Sequence, residues 1–218
     1  MILSMTEYSL RDKLITEYIG TFFLTLTICL VGVFESGTSE LAPFAIASTL
    51  MVMIYAGGHV SGAHYNPAVT ISIYLRGACE KSAIAPYIAT QLAAAVSAAI
   101  IASNVFASSD SSVGELEMEA FPAMAAELIF TFALAYVILN VATSETTEGN
   151  GYFGAAIASV VLAGALTVGS ISAASFNPAV SVSLIVSGPL GVGDSWLHFL
   201  PQIAGGILAA YVFKAQHN

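Results

Sequence analysis

The sequence predicts an all-α membrane protein with six transmembrane helices and two re-entrant half-helices arranged as an inverted repeat. Three observations carry that expectation. The chain of 218 residues is 57% hydrophobic and only 9% charged, with a mean hydropathy of +0.84, far too apolar for a soluble domain. Its apolar residues fall into six runs of membrane-spanning length. One phrase also occurs twice, as Ser61-Gly62-Ala63-His64-Tyr65-Asn66-Pro67-Ala68-Val69-Thr70 and as Ser172-Ala173-Ala174-Ser175-Phe176-Asn177-Pro178-Ala179-Val180-Ser181, with the two asparagines 177 − 66 = 111 positions apart.

In chain order, a polar start from Met1 to Lys13 leads into the first span, Leu14 to Phe34. No small-residue cleavage pattern follows it, so the span is expected to stay in the mature chain. Glu35 and Glu40 mark a short acidic loop before the second span, Leu41 to Gly57. Asn66 then stands as a helix N-cap with Pro67 at the first helical position, where its missing N–H costs nothing. Gly77 stops this helix, so Pro67 to Arg76 covers only about 15 Å, half of a hydrocarbon core about 30 Å thick. The third full span, Ser82 to Phe106, is rich in Ala and Ser, as closely crossing membrane helices are. An acidic loop follows from Asp110 to Glu119.

The second half repeats this order with Phe121 to Ala142, Tyr152 to Val168, the half-helix Pro178 to Ser187 and Ser195 to Phe213. Gly58 and Gly169, Gly77 and Gly188, and Gln91 and Gln202 keep the register of the asparagines, and Glu17 matches Glu127 one position off it. The repeats therefore run about 14–106 and 121–213 within one channel domain, 1–218. Three full spans per half is an odd number, so the second copy is inserted upside down relative to the first. The half-helices then enter from opposite sides and meet N-terminus to N-terminus at mid-membrane, with Asn66-Pro67-Ala68 facing Asn177-Pro178-Ala179.

Arg11, Lys13, Arg76, Lys81 and Lys214 all fall on one side of this topology, which places that side and both termini in the cytoplasm. Glu35, Glu40, Asp110, Glu115, Glu117, Glu119 and Asp194 fall outside and read as solvated loop charges around an acidic mouth. The net charge of −9 argues against a nucleic-acid partner. Cys29 and Cys79 are too far apart in the topology to bridge, and no His, Cys or acidic cluster has metal-ligand spacing, so neither a disulfide, a metal nor a cofactor is expected. His59 reads as a packed histidine near the end of the second span. No nucleophile stands beside a base and no phosphate-binding loop is present, which excludes the common enzyme classes.

Glu17 and Glu127 are the ionisable groups well inside predicted spans. Their symmetric placement suits a scaffold that pairs backbone N–H groups of a re-entrant loop in a dry interior. The same two residues leave open a coupled transporter, which would use them as a proton relay.

In the paired Asn-Pro-Ala boxes, the phrase from Ser61 to Thr70 and the glutamate near the start of each half, the chain resembles the major intrinsic protein family, the aquaporins and aquaglyceroporins, from about Leu14 to Phe213. The resemblance implies a passive channel for water or small uncharged solutes of the glycerol and urea class, one pore per chain, in a homotetramer held in the lipid bilayer; a plasma or bacterial inner membrane is the simplest expectation for its location. It implies that the carbonyls of Gly62, Ala63, His64 and Tyr65, and of Ala173, Ala174 and Phe176, line the path, His64 contributing its carbonyl and not its ring. The family's narrow constriction carries over, by spacing from the asparagines, onto Ile46, Ala165, Ala174 and Val180. Here the sequence departs from the pattern: members usually carry Arg where Val180 stands, and Arg76 lies at the wrong end of the other half-helix to replace it. A wider, more apolar opening follows. Two clues pull in opposite directions, since Ser181 replaces an Asp of glycerol-conducting members and the loops are short, as in water-selective ones. The missing Arg also leaves open a structural protein with a vestigial pore. Ala174 stands where some members carry a mercury-sensitive Cys.

Overall fold

The computed structural model describes residues 8–35, 39–108 and 113–217. Eight α-helices and no strand occur among them: α1 (Leu10–Ile28), α2 (Ala42–Ser61), α3 (Pro67–Arg76), α4 (Lys81–Ile101), α5 (Ala120–Ala142), α6 (Phe153–Ser172), α7 (Pro178–Ser187) and α8 (Trp196–Gln216). Single π-helical turns extend α1 through Cys29–Val33 and α4 through Ala102–Phe106. The spans α1, α2, α4, α5, α6 and α8 are long and apolar enough to cross a membrane, whereas α3 and α7 have ten residues each. Large apolar side chains such as Ile15, Phe23, Ile129, Leu166 and Leu208 remain exposed on the outer wall, where lipid is their natural solvent.

The packing has an approximate twofold symmetry that crosses the halves. Helix α1 packs on α2 and α4, as α5 packs on α6 and α8. Each half-helix, however, lies against the last span of the opposite half, α3 on α8 and α7 on α4, while α2 and α6 touch each other. Glycine makes the closest of these approaches possible. A Cβ on Gly205 would sit 2.6 Å from the Leu128 carbonyl oxygen of α5, and one on Gly206 would sit 2.7 Å from the Ala68 carbonyl oxygen of α3.

Element boundaries differ from the sequence reading at α2 and α6. Both continue four residues beyond Gly57 and Val168, to Ser61 and Ser172. The Gly57-Gly58 pair does not break α2, because Gly57 is used for packing: a Cβ there would collide with the Tyr65 hydroxyl. The helix ends instead at Gly62 with a left-handed cap, φ 87°.

At the face that carries both termini, Arg76 closes α3 onto the other half. Its Nε donates to Thr143 Oγ1 at 3.0 Å and its Nη2 to the Thr143 carbonyl at 2.8 Å, and the guanidinium lies 5.2 Å from the Phe213 ring centroid. On the opposite face the segment before α5 folds inward, with Leu116 N–H donating to the Pro189 carbonyl at 2.8 Å. Glu35, Glu40, Glu115, Glu117, Glu119 and Asp194 are exposed; Asp110 lies outside the described residues.

Candidate pore and its lining

Each re-entrant loop must turn sharply and still satisfy its polar backbone. Ala63 and Tyr65 (φ 50° and 49°) and Ala173, Ala174 and Phe176 (φ 59°, 49° and 50°) all adopt left-handed backbone that costs a non-glycine residue energy. Two buried carboxylates hold that strain. Glu17 Oε1 accepts from Ser61 Oγ at 2.7 Å and His64 N–H at 2.9 Å, and its Oε2 accepts from Tyr65 N–H at 2.8 Å and Gln91 Nε2 at 2.9 Å. Glu127 does the same with Ser172 Oγ at 2.7 Å, Ser175 N–H at 3.0 Å, Phe176 N–H at 2.7 Å and Gln202 Nε2 at 2.7 Å. Both carboxylates are fully buried and each accepts four hydrogen bonds, which suits an anchor and leaves nothing facing a solute.

The aromatic residue of each loop plugs into a slot cut by glycine. Tyr65 fills the space beside Gly20 and Gly57 and donates its hydroxyl to the Met53 carbonyl at 2.9 Å, and Phe176 fills the space beside Gly164. Beyond them the asparagines cap their half-helices: Asn66 Oδ1 accepts from Ala68 N–H at 2.8 Å and Asn177 Oδ1 from Ala179 N–H at 2.9 Å. Their amide nitrogens cross the centre, Asn66 Nδ2 donating to the Phe176 carbonyl and Asn177 Nδ2 to the Tyr65 carbonyl, both at 2.9 Å. Pro67, Ala68, Pro178 and Ala179 are buried behind them.

A cavity of about 840 Å³ runs past these groups. Both asparagines line it, as do Ile46, Ala165, Ala174 and Val180, which the structure brings together around one space. Gly62, Ala63, His64 and Tyr65 line it from the first loop, and Ala173, Ala174 and Ser175 from the second. The opposing wall is apolar, with Leu24, Leu50, Leu134, Ile138 and Ile157. At the terminus-bearing mouth the lining turns polar, with His59, Glu145, Glu148 and Asn150.

The path differs from the sequence reading at four residues. The Tyr65 and Phe176 carbonyls are already engaged by the opposite asparagine, and Phe176 does not line the cavity. Ser175 does line it, and was missed; its place 111 positions after His64, the register of the asparagines, was the signal. Ser175 Oγ is 2.8 Å from Ser181 Oγ, as His64 Nδ1 is 3.1 Å from Thr70 Oγ1. His59 is not packed away but exposed at the mouth, its ring edge-on to Tyr8 at 5.9 Å.

Neither cysteine lines the cavity. Cys29 is buried with its Sγ 3.9 Å from Ser187 Oγ. Cys79 is half-buried between α3 and α4, where burial and the Glu80 carboxylate push its thiol up, leaving little of the reactive thiolate at neutral pH. Flux through the pore is therefore expected to resist mercuric chloride, checked in vesicles with and without a reducing thiol; thiol-reversible block would mean that one of the two is reached.

The model of the major intrinsic protein family matches residues 4–213. A putative aquaporin, NIP4-1 of Arabidopsis thaliana, is 34% identical over 206 residues, covering 91% of this chain and 71% of the relative. Aquaporin NIP1-4 of Oryza sativa subsp. japonica is 31% identical over 221 residues, covering 95% and 78%. Among solved structures, the aquaglyceroporin from Plasmodium falciparum superposes with a TM-score of 0.76 at 20% identity, over 94% of this chain and 96% of that one. Fold and cavity together define an integral membrane channel with paired half-helices, not an enzyme. The chain belongs to the major intrinsic protein family, and its activity is passive passage of water or small solutes.

Proposed function

We propose that the chain conducts water and small uncharged solutes of the glycerol and urea class through a constriction made apolar by the absence of an arginine. The observation that carries this reading is Val180, which faces the same cavity as Ile46, Ala165 and Ala174. None of these four side chains donates or accepts a hydrogen bond, so the constriction imposes neither a fixed positive barrier nor a polar toll on a neutral solute. Beyond it the solute moves along free loop carbonyls on one wall and apolar side chains on the other. At the centre it meets the remaining N–H of Asn66 and Asn177 and the positive ends of α3 and α7, which oppose cations and interrupt a proton wire. The boundaries of the two repeats are taken as about 14–106 and 121–213. Both termini are placed in the cytoplasm of a plasma or bacterial inner membrane, and the working assembly is a homotetramer with one pore per chain.

Stopped-flow light scattering on proteoliposomes tests the reading. The native protein is expected to raise glycerol or urea permeability above that of empty vesicles. Val180→Arg is expected to suppress those fluxes about tenfold or more while water flux stays measurable, because the guanidinium refills the opening and adds fixed donors. Native protein that passes neither water, glycerol nor urea would overturn the proposal.

A further inference from the structure

The hydrogen-bonding groups along the cavity are strongly unbalanced. Three carbonyls of the first loop, those of Gly62, Ala63 and His64, accept no hydrogen bond from any described residue, nor do those of Ala173, Ala174 and Ser175 in the second loop. All six residues line the cavity. The ring of His64 adds another acceptor. Thr70 Oγ1 donates to the Asn66 carbonyl at 3.0 Å and receives Gln91 Nε2 at 3.0 Å, so the imidazole Nδ1 at 3.1 Å is the donor and Nε2 keeps a bare lone pair.

Donors are few. Each asparagine amide has one N–H committed to the opposite loop and one left for the lumen. Ser175 Oγ is within reach of the Asn177 carbonyl at 3.0 Å, where its hydrogen is spent. An arginine at position 180 would have brought a fork of five N–H donors, and valine brings none.

From this imbalance we infer that the pore prefers neutral nitrogenous solutes rich in N–H donors, urea and unprotonated small amines, over polyols. The inference rests on the channel reading above and narrows its solute class. A solute entering the loops leaves water, so every polar group it carries must find a partner or lose free energy. Urea offers more N–H donors than acceptor lone pairs, and the free carbonyls take those donors. A polyol carries twice as many lone pairs as hydroxyl hydrogens, and in this lumen most of those lone pairs stay unmet.

Urea and ethylene glycol have the same number of heavy atoms, so size drops out of the comparison. Their permeabilities are measured by stopped-flow light scattering on proteoliposomes, with the protein-free rate subtracted and glycerol and water run in parallel. Native protein is expected to pass urea about tenfold faster than ethylene glycol, the scale of one hydrogen bond made or missed. Val180→Arg is expected to slow both solutes by filling the opening, and to narrow their ratio because its N–H donors offset part of what the diol lacks. Equal protein-mediated rates, or faster ethylene glycol, overturn the preference while leaving the channel intact. Loss of all four fluxes in the native protein would instead remove the channel reading itself. The native ratio alone decides the matter if the arginine variant fails to fold.

Discussion

Glu127→Ala is expected to abolish solute flux and to lower the melting temperature of the detergent-purified protein by many degrees. The carboxylate is the acceptor for two backbone N–H groups, Ser175 and Phe176, and for the side chains of Ser172 and Gln202, all in the membrane interior. The carboxylate itself is fully buried. Leaving the two backbone donors unpaired costs about 1–3 kcal/mol each, so a loss of about 4 kcal/mol is the expected scale. The loop would also lose the anchor that holds Ala173, Ala174 and Phe176 in left-handed backbone, and the acceptor carbonyls would swing out of line. Glu127→Gln should fall between the two, because the amide keeps one acceptor oxygen but turns a donor toward groups that themselves donate. Native-like melting and flux for the alanine variant would show that the carboxylate does not shape the pore.

The second large effect is expected at Gly205. An added methyl group there meets the Leu128 carbonyl oxygen at 2.6 Å and the Phe132 nitrogen at 2.9 Å, both of them backbone atoms of α5 that cannot rotate away. Helices α5 and α8 must then separate, and Gly205→Ala is expected to destabilise by about 3 kcal/mol, the upper range for overpacking. Gly32→Ala is the matched control, since nothing lies within 4 Å of its Cβ position, and its melting temperature should be unchanged or slightly raised. Thermal melts of both variants decide the point. Equal shifts would mean that the close α5–α8 approach at Gly205 tolerates an added methyl group.

How much of this was visible in the sequence depends on the range of the interaction. Helix starts were legible because their signals are local: Asn66-Pro67 and Asn177-Pro178 fix a cap and a first turn without reference to the rest of the chain. Glu17 and Glu127 lie against re-entrant backbone N–H groups, a placement expected from symmetry plus the cost of unpaired backbone in a dry interior. The last turns of α2 and α6 were not legible, because they are held by bonds to other spans, Ser61 to Glu17 and Ser172 to Glu127. The Arg76 latch onto Thr143 was invisible for the same reason, spanning 67 positions with no repeat to point to it. Ser175 was recoverable through its register with His64, 111 positions earlier.

The crossed asparagine bonds bear on how the protein is made. A ribosome delivers the first half long before the second, and until Asn177 arrives the Tyr65 carbonyl has no donor and Asn66 Nδ2 no acceptor at the centre. Helix α3 likewise waits for α8, the last span synthesised, to cover its flank. A newly inserted first half therefore holds a polar hairpin within the lipid without its mate. The first re-entrant loop therefore completes its contacts only when α7 and α8 of the second half are in place.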